Sequence, residues 1–391
     1  ADRFGRKPLF VGEMLLFIAF LIAIANAPSL TLLVVFLFGM GLALGADYPT
    51  AHMVISESLP SRTRGRFVIG AFGFQALGAL TGVAVGVLVL DQASDLNAWR
   101  WMYATAIIPA IVVAAGPFFA PESPTWLMAQ GQSSRASSAL TRLLRRDPPY
   151  PASPELKPPV TTPQSGPSGY RALFSARHRR ATVFASLPWF LQDLGTYGIG
   201  IFTPTILATT LGHSVVTSGS VAQIIHGEMD AARGTAVIDL LLIVGIVFAV
   251  LFSDKVGRIK LQVIGFIGCA AGLLIAALSS AFDGTMQLVL IFAGFMLFSF
   301  MTNMGPNAQT YLNAGEVFPT HLRGKGSGFA ASFAKIGAVA TAFLFPVLLI
   351  DLGQSVVLGF LIVTSLIGAA VTWYFRIETR GIDLDTIHNG D

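Results

Sequence analysis

The sequence predicts an all-α membrane protein: ten transmembrane helices in two pseudo-symmetric halves. Three observations predict it. Hydrophobic residues make up 53% of the chain and charged residues 12%, against about 25% charged in soluble proteins. Apolar runs long enough to cross a bilayer, which takes about 20 residues, recur along the chain. They lack the period-two alternation of barrel strands. Finally, three short charged patterns each occur twice, in the same order.

The spans lie at about 9–26, 30–57, 68–90, 99–120, 185–211, 235–253, 259–282, 286–312, 328–350 and 354–376. Polar residues inside them are few. The first holds Glu13. The second holds Asp47, between Gly45 and Pro49, where thinning of the helix and loss of a backbone donor leave carbonyls free. An ionised carboxylate at mid-bilayer costs at least about 2.5–3.5 kcal/mol, so it faces a cavity or a partner. The third is Gly-rich and carries Gln75, which either glues helices together or faces a ligand. The fifth carries Trp189, Gln192, Asp193 and Tyr197. Trp189, Asp193 and Tyr197 are spaced i, i+4, i+8 and share one helical face. They make a pocket wall with an indole N–H and a phenol O–H, or an interfacial belt with a helix-end acid. The lone Cys269 falls in the seventh span and permits no internal disulfide. In the eighth, Gly305-Pro306 interrupts the helix among Asn303, Asn307, Gln309 and Asn313, as at a cavity lining. The ninth holds Lys335, either snorkelling to the interface or fixed near an anionic ligand.

Lys and Arg fall in alternate loops, which places both termini and the long segment 121–180 in the cytoplasm of a multi-pass cell (plasma or inner) membrane protein. Only Arg100 and Arg233 lie in the other loops, so the net charge of +4 is a topology signal and not a nucleic-acid one. The centre of 121–180 is rich in Pro, Ser and Thr and reads as a flexible linker. Residues 133–146 read as a short basic amphipathic helix at the membrane surface.

The repeated patterns pair Asp2-Arg3-Phe4-Gly5-Arg6-Lys7 with Asp254-Lys255-Val256-Gly257-Arg258-Ile259. Glu57 and Arg64-Gly65 pair with Glu316 and Arg323-Gly324. Pro121-Glu122-Ser123 pairs with Ile377-Glu378-Thr379. Together they indicate a duplicated half. The halves are residues 1–120, with four helices, and 181–391, with six helices and a short cytoplasmic tail, joined by the linker 121–180. Two spans precede the Asp-x-x-Gly-Arg loop of the second half and none precede that of the first. Symmetry therefore expects two further helices before Asp2, absent from this sequence; the ten helices alone are expected not to transport. Asp2, Arg6, Glu57, Arg64, Asp254, Arg258, Glu316 and Arg323 read as cytoplasmic charge pairs that latch one conformation and release it in another, or as loop charge that sets topology.

The Asp-x-x-Gly-Arg loops, the Glu-x6-Arg pairs, Pro121-Glu122-Ser123-Pro124-Thr125-Trp126-Leu127 and Glu378-Thr379-Arg380-Gly381 resemble the major facilitator superfamily over essentially the whole chain. The branch they resemble holds sugar porters and phosphate:proton symporters. Gly45-Ala46-Asp47-Tyr48-Pro49, Trp189-Phe190-Leu191-Gln192-Asp193 with Tyr197-Gly198, and Gly305-Pro306-Asn307 followed by Gly315-Glu316-Val317-Phe318-Pro319-Thr320 are most similar to the phosphate:proton symporters. That resemblance implies phosphate contacts from Tyr48, Gln75, Trp189, Asp193, Tyr197 and Asn307, with Lys335 close by. It implies proton coupling by Asp47, Asp193 and Glu13. The chain departs from the family at Ala46, at Asn303-Met304-Gly305 and at Thr50-Ala51-His52-Met53. The glutamine pair of sugar porters is missing from the fifth span, where Gln192-Asp193 stands.

The expected function is proton-coupled, alternating-access import of inorganic phosphate. Uptake of a sugar, organic acid or other metabolite is the alternative, and a non-transporting nutrient receptor on the same fold is a third reading. The partners implied are a small-molecule or inorganic anion, protons and the lipid bilayer, with no nucleic acid and a monomeric chain. No nucleophile–base set, metal-ligand spacing or phosphate-cradling glycine loop is legible, so neither an enzyme nor a cofactor is expected.

Overall fold

The computed structural model describes residues 5–59, 64–92, 97–119, 121–144, 169–210, 221–319 and 322–379. Fifteen α-helices run through these residues. They are α1 (Arg6–Ala25), α2 (Leu30–Ser58), α3 (Arg64–Phe72), α4 (Phe74–Gln92), α5 (Ala98–Thr105), α6 (Ile107–Ala115), α7 (Pro124–Ala129) and α8 (Ser133–Leu144). Then come α9 (Arg179–Thr210), α10 (Val221–Val256), α11 (Arg258–Leu278), α12 (Gly284–Met304), α13 (Pro306–Glu316), α14 (Arg323–Leu352) and α15 (Gln354–Phe375).

Nine predicted spans coincide with segments long and apolar enough to cross a bilayer, among the described residues. The remaining one, 185–211, is helical as predicted and forms most of α9. Its centre carries Trp189, Gln192, Asp193, Thr196 and Tyr197, which lowers its hydropathy below that of the others. Three spans are interrupted. Gly73 separates α3 from α4, Ala106 separates α5 from α6, and Gly305 separates α12 from α13. At Gly305 (φ −114, ψ −98) the chain leaves the helix, and Pro306 restarts it at a first-turn position, where a missing N–H costs nothing. The predicted basic helix at 133–146 is α8; it buries Ala136 and Ala139 against Leu127 of α7. The Pro/Ser/Thr-rich centre of the linker lies outside the described residues.

The chain forms two compact units, Ala1–Pro60 with Leu96–Pro167, and Ser61–Asp95 with Ser168–Asp391. In the first, α1 packs on α2, α5 and α6. Ser29 caps α2 by accepting from the Leu32 N–H at 3.3 Å. Arg100, an exception to the charge rule for loops, donates to the carbonyls of Ala25 (3.0 Å) and Ala27 (2.7 Å). It thereby satisfies the open end of α1.

In the second unit, α9, α11, α12, α14 and α15 enclose a core that includes Leu191, Leu273, Phe295, Phe298, Phe345 and Leu361. Helices α11 and α12 meet backbone to backbone. A Cβ at Gly272 would lie 2.7 Å from the Gly294 carbonyl oxygen, and one at Gly294 would lie 2.6 Å from the Gly272 oxygen. Without a hydrophobic drive between helices in lipid, such close approach supplies the association through van der Waals contact. Helices α3 and α4 belong to this unit because they pack on α10. A Cβ at Gly73 would lie 2.7 Å from the Ile246 side chain.

Candidate functional site

The most developed polar site inside the spans is in the second unit. Trp189, Asp193 and Tyr197 follow one face of α9, and α14 brings Lys335 to that face. The Lys335 ammonium donates to Asp193 Oδ2 at 3.0 Å and to the Tyr197 hydroxyl oxygen at 2.9 Å. It also stands 4.6 Å from the centre of the Tyr197 ring, within range of a cation–π attraction. Asp193 is 2% exposed, whereas the Lys335 side chain keeps 38% of its surface. Asp193 is therefore buried and Lys335 is the more exposed member of the pair. Lys335 is thus held by a carboxylate and a phenol.

One turn before Asp193, buried Trp189 meets the edge of Tyr311, a residue of α13, at 6.3 Å between ring centres. Tyr311 stacks in turn on Phe72, the last residue of α3, at 4.9 Å. Gln192 donates to Thr196 at 2.6 Å, while its buried amide oxygen has no partner among the described residues. Asn307 donates to Asn303 at 2.6 Å, and Asn303 donates to the Leu242 carbonyl at 3.0 Å. Gln75 is exposed near the start of α4, three residues after Phe72. The Tyr48 side chain lies outside the described residues.

The first unit holds the other two acids. Glu13 (6% exposed) meets buried Thr50, whose hydroxyl lies 3.1 Å from Glu13 Oε1. Asp47 lies on α2, one turn before Thr50. One oxygen of each acid, Glu13 Oε2 and Asp47 Oδ1, is buried without a hydrogen-bond partner among the described residues.

The repeated charge motifs take two roles. Arg258 and Glu316 form an ion pair at 1% and 0% exposure. Thr379 bridges them, accepting from Arg258 at 2.5 Å and donating to Glu316 Oε2 at 2.8 Å. Arg323 is buried at the start of α14. Asp254 pairs with Arg66 at 3.2 Å; the side chains of Arg64 and Glu57, expected in this role, and all of Asp2 lie outside the described residues. The second role is at helix starts. Gly5 and Gly257 have φ of 94° and 100°, the region that favours glycine. At the first, the Glu122 carboxylate accepts from the backbone N–H groups of Arg6 (3.2 Å) and Lys7 (3.3 Å). At the second, Glu378 Oε2 would lie 3.3 Å from a Cβ on Gly257. Each repeat thus brings a glutamate to a helix N-terminus, where the dipole favours an anion.

Sequence reasoning missed Tyr311, Phe72, Thr50 and Thr379 as partners, and a buried ladder beside α13. In that ladder Ser253 donates to Gln309 (3.0 Å), Asn313 to Gln262 (2.9 Å) and Gln262 to Thr372 (2.9 Å). The available signal was four amides within eleven residues on a span, which predicts mutual satisfaction but not the partners.

Comparison with known proteins gives a consistent picture. A family model described as sugar (and other) transporter matches residues 1–390. The niacin transporter NiaP of Acinetobacter baylyi is 29% identical over 99% of this chain and 82% of its own. A probable inorganic phosphate transporter, 1-6, of Arabidopsis thaliana is 27% identical over 99% of this chain and 79% of its own. Among solved structures, the proton:xylose symporter XylE, of the major facilitator superfamily, bound to 6-bromo-6-deoxy-D-glucose, superposes with a TM-score of 0.78. It is 20% identical and covers 99% of this chain and 84% of its own, a likeness of fold.

Proposed function

The chain belongs to the sugar (and other) transporter family, and on that premise we propose that it is a proton-coupled secondary transporter of a small anion, inorganic phosphate first, working by alternating access. The observation that carries the reading is the partly exposed Lys335 side chain whose ammonium is held by buried Asp193 and by Tyr197. An anion crossing a low-dielectric barrier needs its hydration replaced. Lys335 offers charge, the Trp189 indole and the Tyr197 phenol offer donors from neighbouring turns of α9, and the Asn307 amide, which donates to Asn303, is proposed to join them from α13. Asp193 competes with the anion for the same ammonium. A proton on Asp193 cancels that competition and frees Lys335. Proton and anion then favour each other's binding, and this linkage is reciprocal. Asp47 and Glu13 are proposed as further coupling acids, with Tyr48 and Gln75 completing the anion's contacts.

Alternating access would come from two pseudo-symmetric halves, 1–120 and 181–391, rocking about the site. The Arg66–Asp254 and Arg258–Glu316 pairs would then serve as latches at the cytoplasmic end. An organic acid, of the kind the niacin relative's name indicates, would use the same ammonium through its carboxylate. A neutral sugar would not need it.

Binding of phosphate to the purified full-length protein tests the reading. Saturable binding should draw protons from a weakly buffered solution, and Lys335→Gln should abolish it. Undiminished binding by Lys335→Gln would place the anion elsewhere.

A further inference from the structure

We propose that the joint between the start of α9 and the end of α15 binds an anionic phospholipid headgroup, with Arg180 and Arg376 as its two cations. Depth comes first. The apolar run of α15 ends at Phe375, so Arg376 is the first residue past the hydrocarbon, at the level of the lipid phosphates. Arg180 belongs to the start of α9, and its Nη2 donates to the Arg376 carbonyl at 3.0 Å. That bond joins residues 196 positions apart and brings a second guanidinium to the same depth.

Both guanidinium groups are held in place, and neither is neutralised. Arg376 donates through Nη1 to the Trp373 carbonyl at 2.8 Å and lies over the Trp373 ring, 4.5 Å from its centre. The stack and the carbonyl together orient the planar group. A guanidinium has five N–H donors, and these contacts use one apiece. Both side chains are exposed, and neither meets a carboxylate among the described residues. The described acid nearest Arg376 in sequence is Glu378. Its Oε2 is turned to the start of α11, where it would lie 3.3 Å from a Cβ on Gly257. Two like charges at the edge of a low-dielectric layer call for an anion. A phosphodiester offers two oxygens to the guanidinium forks.

The adjoining surface favours a lipid over a free ion. Val356, Phe360, Val363 and Ile367 are exposed and form one continuous face of α15. Exposed Tyr374 continues that face at the end of the helix, with exposed Trp373 beside it. Aromatic rings of this kind mark the boundary between acyl chains and headgroups. Acyl chains lie along this face when the phosphate is at Arg180 and Arg376, whereas a free phosphate leaves the apolar strip unused. On the reading that puts the Lys- and Arg-rich ends in the cytoplasm, the leaflet concerned is the one rich in anionic lipids. Charge that only sets topology needs cations in a loop. It needs neither a stack on Trp373 nor a bond between two helices.

The test is native mass spectrometry of the full-length protein released from nanodiscs of equal phosphatidylglycerol and phosphatidylcholine. The wild type should retain phosphatidylglycerol over phosphatidylcholine several-fold. Arg180→Gln with Arg376→Gln should bring the two lipids to parity. Arg135→Gln with Arg142→Gln, which removes two exposed arginines of α8, should keep the excess. No excess in the wild type, or an excess that survives loss of Arg180 and Arg376, overturns the proposal. Equal loss in the α8 variant would mean general charge attraction and also overturns it. Inorganic phosphate added before release should leave the excess unchanged; displacement would mark an ion site and overturn the lipid assignment. A second measurement needs no variant. In detergent, phosphatidylglycerol should raise the thermal midpoint of the wild type above its value in phosphatidylcholine, and high salt should remove the difference. A midpoint indifferent to headgroup charge overturns the proposal.

Discussion

Asp193 and Lys335 are 142 positions apart and meet at 3.0 Å. Periodicity puts Trp189, Asp193 and Tyr197 on one face, but it says nothing about what another helix brings to that face. That is why the sequence names Lys335 but not its partners Asp193 and Tyr197. The same limit applies to Glu316. The repeat singles it out, while its partners Arg258 and Thr379 come from a helix start and from the segment beyond the last helix. This pair is fully buried, so removing one member strands the other. Glu316→Ala should destabilise the protein by about 3–5 kcal/mol, read as a fall in the thermal midpoint of the detergent-solubilised protein. A change within the scatter of surface variants would mean that Arg258 finds another anion. Trp189→Ala takes away the indole donor and the edge contact to Tyr311. It should raise the Kd for the transported anion several-fold and leave the fold intact by circular dichroism.

Among the elements, the helices were legible and their breaks only partly so. Gly305-Pro306 announces itself, because proline cannot continue the hydrogen-bond ladder. The break at Ala106 carries a fainter mark in Pro109, which cannot donate to the Thr105 carbonyl at the end of α5, and the break at Gly73 has no proline beside it. Glycine spacing, by contrast, has a clear structural outcome between α11 and α12. Gly272→Leu would drive a side chain into the backbone of α12, where a Cβ already lies 2.7 Å from the Gly294 oxygen and the Phe298 nitrogen. We expect a loss of about 1–3 kcal/mol, as for other overpacked interiors, measured by thermal or denaturant unfolding. Gly284→Ala, whose Cβ would meet nothing but which has a φ of +61°, should lose less. The start of α1 makes a separate prediction. Glu122 accepts from the Arg6 and Lys7 N–H groups, so Glu122→Ala should cost about 1 kcal/mol through the lost cap and dipole interaction. The protection of those amides against hydrogen exchange should fall with it.

At the scale of the molecule, the membrane class and the duplicated plan were readable, because apolar length and repeated charge are linear properties of a chain. The family match over residues 1–390 and the fold likeness to XylE agree with the membrane class and the fold. Substrate is not a linear property. It depends on which donors converge and on where charge is neutralised, and Lys335, Asp193, Tyr197, Trp189 and Asn307 come from three separate helices. A sugar porter and an anion symporter can share every loop motif and differ only there. The most direct measurement is uptake of radiolabelled phosphate into proteoliposomes holding the full-length protein, with and without an inward proton gradient. The account predicts uptake that the gradient stimulates and that Asp193→Asn uncouples from the gradient. Gradient-independent uptake, or no phosphate uptake in a preparation that accumulates a neutral sugar, would contradict it.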